Sequence, residues 1–372
     1  MEHRTRARRR ITLQDLAGTL GVSKTTVSNA FSRPDQLSPE LRARVMEAAR
    51  AAGYAGPNPV ARMLRTGRAG AIGLILPESL PFALDDPATS ELIRGIADAC
   101  EERRLGLLIV PGATRARDPH TITDVAVDGF IAYSLPWETP ALQHVLARGE
   151  PVVVVDEPRI PGVATVGVDD FAGARLAAGH LVGLGHRRLG IVASPFRPDG
   201  YTGRGDAARV SSSTFDVATR RLQGYRAAVA DAGLAVDDVP LYECALSDEE
   251  LGRQAGRDLL ERTPRPTAIL AMSDRLAIGV LAAARDLGVA VPAELSIVGF
   301  DDIPGATTSR PSLTTVRQPL RLKGYAAARY LLDAPGTRPP DAAPEALPPD
   351  GDEISLPVEL VIRRSTAGAP PA

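Results

Sequence analysis

Lysine is nearly missing from this 372-residue chain: only Lys24 and Lys323 occur, and arginine carries almost all the positive charge. No phosphate-binding loop ending in Gly-Lys-Ser/Thr is therefore present, and no Gly-x-Ser-x-Gly elbow occurs either. Cysteine is as scarce. Cys100 and Cys244 stand far apart in no metal-ligand spacing, which excludes a disulfide framework and a thiolate metal site and fits a reducing, cytoplasmic setting. Aromatics make up 4% of residues, so the core has to be built from Ala, Val, Leu and Ile within a 44% hydrophobic chain. No apolar run reaches the roughly 18 residues a spanning helix needs, so no membrane partner is expected. The arginines at the start are not followed by an apolar stretch, which excludes an ordinary secretory signal. Nothing here points to an enzyme, a cofactor or a metal.

Charge is abundant but unevenly spread. The first 68 residues hold 13 Lys+Arg against 5 Asp+Glu, while the remainder holds 30 against 40. A basic head on an acidic body suits a polyanion at one end only. Arg4, Arg6, Arg8, Arg9 and Arg10 form an arm that either touches phosphate or is simply solvated.

Three short helices follow the arm. The first is capped at Thr12 with Asp15 three residues on, and its apolar face is Leu13, Leu16, Ala17 and Leu20. Gly21 permits a tight turn, and Ser23 caps a second helix whose inner face is Val27, Ala30 and Phe31. Two helices joined this closely form a helix-turn-helix. Ser38-Pro39 opens the third, with Leu41, Val45, Ala48 and Ala49 inward. The outer face of the second helix carries Lys24, Thr25, Thr26, Ser28 and Asn29, side chains that reach phosphates and base edges in a major groove. The same face also suits a plain polar surface. Asn58 and Pro59 then start a helix of about two turns, too short to stand alone in water. Within it, Leu64 among arginines suits either minor-groove insertion or packing on the core.

From Ala71 onward, apolar runs such as Ile72–Leu76, Val152–Val155, Ala268–Met272 and Leu295–Phe300 alternate with amphipathic stretches. That alternation predicts parallel sheets covered on both faces, and some 300 residues predict two lobes. Ligands bind at the carboxyl ends of such strands. The polar residues there are Tyr133, Asp156, Ser273, Asp274 and Asp301, whose carboxylates suit a polyol or sugar. Ser273 and Asp274 are equally placed to cap the next helix, and Asp301 to brace a loop.

Three ordered motifs resemble the lactose/galactose repressor (LacI/GalR) family: Ile11-Thr-Leu-Gln-Asp-Leu-Ala17, Gly21-Val-Ser-Lys-Thr-Thr-Val-Ser28 and Val60-Ala-Arg-Met-Leu64. Further along, Leu181–Gly190, Arg221-Leu-Gln-Gly-Tyr225 and Gly299-Phe-Asp-Asp302 extend the resemblance over nearly the whole chain. It implies an α/β fold with a three-helix head and a two-lobed core like periplasmic binding proteins. It implies base-reading positions at Lys24, Thr25 and Asn29, a hinge leucine at Leu64, and effector contacts at Arg221 and Asp301. The expected DNA-contacting set adds Thr12, Ser23, Thr26, Ser28, Asn58 and Ala61. The implied function is operator binding, most simply as a repressor, by a cytoplasmic, nucleoid-associated homodimer tuned by a small-molecule effector such as a sugar.

The expected domains are a head over residues 1–56, a hinge over 57–68 and a core over 69–372. The lobes are placed at about 70–168 plus 303–332, and about 169–302 plus 350–365. A single last strand is read at Leu356–Ile362, and no heptad tail follows it. Residues 194–214, poor in apolar side chains, read as a disordered surface loop or a cover over the cleft. Within them, Gly203–Ala208 mimics a dinucleotide fingerprint but does not open directly from a strand. Trp137 is expected to pack rather than stack on a ligand.

Overall fold

The computed structural model describes residues 11–56, 59–112, 125–334 and 353–371. The arginine arm and Asn58 lie outside them. Contacts divide the chain into two compact units, Met1–Ala69 and Gly70–Ala372.

In the first unit, α1 (Leu13–Leu20), α2 (Lys24–Ser32) and α3 (Pro39–Ala51) enclose a small core of Leu16, Ala17, Val27, Ala30, Val45 and Ala49. Gly21 ends α1 with φ 66°, a left-handed backbone that only glycine adopts without steric cost. Phe31 and Tyr54 close the core edge-to-face, with ring centroids 5.7 Å apart. A fourth helix, α4 (Pro59–Thr66), follows.

The second unit holds two sheets. The first lobe contains β1 (Ala71–Leu76), β2 (Gly106–Pro111), β3 (Phe130–Tyr133), β4 (Val152–Val155), β5 (Ala164–Val168) and β12 (Glu353–Leu356). They run in the order β12-β5-β4-β3-β1-β2, all parallel. Its helices include α5 (Leu80–Asp85), α6 (Pro87–Arg103), α7 (Pro140–Ala147) and α14 (Leu320–Asp333). Helices α6 and α14 pack backbone to backbone. A Cβ on Gly95 would lie 1.8 Å from the Arg321 carbonyl oxygen, and one on Gly324 2.1 Å from that of Leu92.

The second lobe contains β6 (Leu189–Ala193), β7 (Gly203–Arg204), β8 (Leu241–Glu243), β9 (Ala268–Ala271), β10 (Ser296–Asp301), β11 (Thr314–Arg317) and β13 (Glu359–Val361). The order is β13-β11-β10-β9-β6-β8-β7, with only the two edge strands antiparallel. Helices α8 (Asp170–Gly183), α9 (Ala207–Ser211), α10 (Asp216–Asp231), α11 (Glu249–Leu260), α12 (Asp274–Asp286) and α13 (Pro304–Thr308) belong to this lobe.

Three expectations are corrected. Residues 304–317 belong to the second lobe, because β11 pairs with β10; the chain crosses back only at Gln318. The last strand is two strands. β12 completes the first sheet and β13 the second, with Pro357, which has no N–H to give a ladder, between them. The polar insert is ordered: β7 extends the sheet edge, and Arg209 in α9 ties it down through Glu243 at 2.7 Å and Asp199 at 2.9 Å.

Candidate DNA-reading face and ligand cleft

The start of α2 gathers the predicted DNA-contacting side chains. Ser23 accepts the Thr26 N–H at 3.0 Å, with the two hydroxyls 2.8 Å apart, so a capping pair fixes the helix start. Thr12 and Asp15 form a reciprocal capping box at the start of α1. Lys24 and Thr25 are exposed, Ser28 is half-buried, and the Asn29 amide donates to Gln36 at 3.1 Å. On α4, Ala61 is exposed and Leu64 is 80% exposed. Within this unit Leu64 therefore does not pack on the core.

In the second unit, a cavity of about 1060 Å³ opens at the carboxyl ends of both sheets. It is lined by Tyr133 at the end of β3, Asp156 past β4, Arg221 on α10, Ser273 past β9 and Asp301 at the end of β10. Ser134, Asp156 and Asp301 hold positive φ angles of 48°, 66° and 120°, unusual for residues with a side chain. Such conformations cost energy and persist only where the surroundings impose them. Here they turn the chain sharply at the strand ends and keep those residues on the cavity wall.

Arg221 is buried against the face of Phe300, 3.6 Å from the ring centre. It donates to Asp170 at 2.8 Å and to the Met272 carbonyl at 2.5 Å, and reaches within 3.9 Å of Asp301. Burial pushes the Asp301 carboxyl up to about 7 against the pull of Arg221. Burial, with Asp86 nearby, lifts Glu78 on the same wall to about 7. Tyr133 is raised well above its usual range by burial and by the surrounding carboxylates, so its phenol stays protonated. Ser273 Oγ accepts the Leu276 N–H at 3.3 Å and caps α12.

Asp274 is turned away from the cavity. Its two oxygens accept Ile303 N–H at 2.9 Å and Thr315 Oγ1–H at 2.5 Å, bracing the loop after β10 against β11. Trp137 is also off the wall and 45% exposed, rather than packed.

The structure adds lining residues that sequence reasoning did not select: Glu78, Asp86, Glu157, Arg275 and Gln318. Glu157 comes from the first lobe and accepts the Val217 N–H of the second at 3.0 Å. Arg275 comes from the second and faces Asp86 and Phe82 of the first. Glu157 and Arg275 each directly follow a selected residue, which was a usable signal. Part of the polar insert, including Arg197 and Gly200, also lines the cavity. The wall can accept hydroxyl hydrogens through its carboxylates and donate through arginine and tyrosine.

Two family models match the chain. The model for bacterial regulatory proteins of the lacI family covers residues 12–58, and that for a periplasmic binding protein-like domain covers residues 178–366. An HTH-type transcriptional regulator of Mycobacterium tuberculosis is 43% identical over 332 residues, covering 88% of this chain and 92% of that one. This chain belongs to the LacI family. Accordingly it is a DNA-binding transcriptional regulator and not an enzyme. A LacI-family regulator from Corynebacterium glutamicum has a similar solved structure, with a TM-score of 0.70 at 31% identity over 97% of this chain and 99% of that one. Another, a complex of the regulator CelR with cellobiose, has a TM-score of 0.68 at 28% identity over 96% and 100%. Among the described residues, no helix is long and apolar enough to cross a membrane, and no His/Cys/Asp/Glu group could hold a metal.

Proposed function

We propose that this LacI-family chain is a cytoplasmic repressor, active as a homodimer, whose operator affinity is set by an uncharged sugar in the core cleft. Two-fold operators pair with two-fold proteins, so a dimer presents two α2 helices to two half-sites. Lys24, Thr25 and Asn29 read bases. Thr12, Ser23, Thr26 and Ser28 contact the backbone, and Leu64 wedges into the minor groove beside Asn58 and Ala61. In the cleft, Tyr133, Asp156, Arg221, Ser273 and Asp301 hold the effector.

The observation that carries the sugar reading is the cleft wall itself. Its buried arginine already faces Asp170 and Asp301, and acidic side chains, some held protonated by burial, outnumber the arginines around the cavity. That favours a neutral ligand rich in hydroxyls over a phosphorylated one. The cellobiose bound in the CelR complex agrees with this chemistry. A ligand shifts the regulator only by its differential affinity for the DNA-competent state.

The test is Asp301→Ala in a thermal-shift screen of unphosphorylated sugars, cellobiose and ribose among them. One sugar is expected to stabilise the wild-type chain, and the variant to bind it about ten- to a hundredfold more weakly, the worth of one hydrogen bond to a charged group. Operator binding without sugar is expected to be unchanged. An undiminished response in the variant contradicts the assignment.

A further inference from the structure

Lys323, the core unit's only lysine, has its side chain 1% exposed. Its Nζ donates to Asp156 Oδ1 at 2.7 Å and to Gln318 Oε1 at 2.5 Å. The Gln318 amide in turn donates from Nε2 to Asp301 Oδ1 at 2.6 Å. The amide's orientation follows from the chemistry: an ammonium only donates and a carboxylate oxygen accepts, so Oε1 must face Lys323 and Nε2 must face Asp301. A glutamine is thus suited to join the two.

The chain of bonds also joins the lobes. Asp156 directly follows a strand of the first, Asp301 ends a strand of the second, and Gln318 sits where the chain crosses between them. Each carboxylate is held through Oδ1. Neither Oδ2 has a protein hydrogen-bond partner among the described residues, although both side chains are about nine-tenths buried and line the cavity. Neither Oδ2 is sealed off, since both residues line the cavity, so each is an acceptor open to a donor from outside the chain.

We propose that Lys323 and Gln318 are positioning residues: together they preset Asp156 Oδ2 and Asp301 Oδ2 as a matched pair of acceptors, one from each lobe, for two hydroxyl groups of a single effector. This rests on the cleft being the effector site. Without the strut, the two carboxylates are free to turn, and ligand binding has to supply the ordering. Arg221 still faces Asp301, so that carboxylate keeps its neutralising partner and loses its orientation.

The scarcity of lysine makes the test direct. Full-length protein labelled with 15N at lysine carries only two side-chain ammonium groups, Lys24 and Lys323. The buried, hydrogen-bonded group should give a slowly exchanging ammonium signal that Lys323→Met removes. Asp156→Asn and Gln318→Met should each shift or broaden it. In calorimetric titrations with the unphosphorylated sugars named above, Gln318→Met and Lys323→Met should bind at least tenfold more weakly than wild type, with operator affinity in the absence of sugar within twofold.

Wild-type sugar affinity in Gln318→Met, or an ammonium signal indifferent to Asp156→Asn, overturns the proposal. Should Lys323→Met fail to fold, Gln318→Met alone decides, since its side chain is similar in size and uncharged. If no sugar binds the wild-type chain, the sugar reading of the cleft falls, and the ammonium signal decides the strut by itself.

Discussion

Glu157 is largely buried at the cavity wall, and burial pushes its carboxyl up to about 8, against the Val217 N–H that favours the charged form and with Asp156 adding to the rise. The folded state therefore holds a proton that the unfolded chain releases near 4.5. Between those two values the native state binds more protons, so this group's contribution falls as pH rises through the window and is complete only below it. Stability of the wild-type chain is expected to decline from about pH 5 to 8. Glu157→Gln, neutral throughout, should flatten that decline by up to about 1.4 kcal/mol per pH unit, the limit for one proton. Denaturant titrations at several pH values check this, and parallel slopes for the two proteins contradict it. Single residues were partly legible in the sequence. The strand-end rule led to Tyr133, Asp156, Ser273 and Asp301, because each apolar run stops at a polar side chain. Gln318 and Lys323 were not legible, since their partners come from strands more than ten residues away that only the fold brings together.

At the scale of elements, α4 and β11 are instructive. Helix α4 has eight residues, too few to be stable in water by propensity alone. Leu64 is 80% exposed on it. Leu64→Ala therefore removes little buried surface and should leave the thermal midpoint of the free protein within a degree or two. If Leu64 enters the minor groove, the same change should weaken specific operator binding at least tenfold and barely affect nonspecific DNA. Competition gel shifts separate the two, and equal losses on both DNAs rule out the wedge. The strand β11 was hidden for the opposite reason. Its sequence Thr-Thr-Val-Arg has no apolar run, yet Thr314 and Thr315 are fully buried. Thr314 pairs with Thr366 at 3.1 Å and its N–H with Ser365 at 2.8 Å, while Thr315 donates to Asp274. A strand whose buried polar groups are satisfied leaves no hydropathy signal. That hidden strand explains the misplaced lobe boundary, whereas Asp274 was selected because it closely follows the Ala268–Met272 run. The helices of the head were legible because capping residues and the 3.6-residue period agree there.

For the whole molecule, a basic head and an acidic core divide the work by charge: 13 Lys+Arg against 5 Asp+Glu in residues 1–68, then the reverse excess in the rest. Among the described residues, the core chain crosses between its lobes after β5, at Gln318 and at Pro357. A hydrogen bond to Glu157 and an ion pair between Arg275 and Asp86 also span the cleft. A ligand that bridges the strand ends of both lobes is expected to compete with or reinforce those contacts and so to shift the balance between states. The central claim is that ligand in the cleft and grip on DNA are energetically linked. The most direct measurement is fluorescence anisotropy of a duplex selected from a random pool by the full-length protein, titrated with each sugar that raises its thermal midpoint. The account predicts a change in operator affinity of at least fivefold, the lower end of ordinary allosteric coupling. A sugar that binds the cleft yet leaves operator affinity unchanged would contradict it.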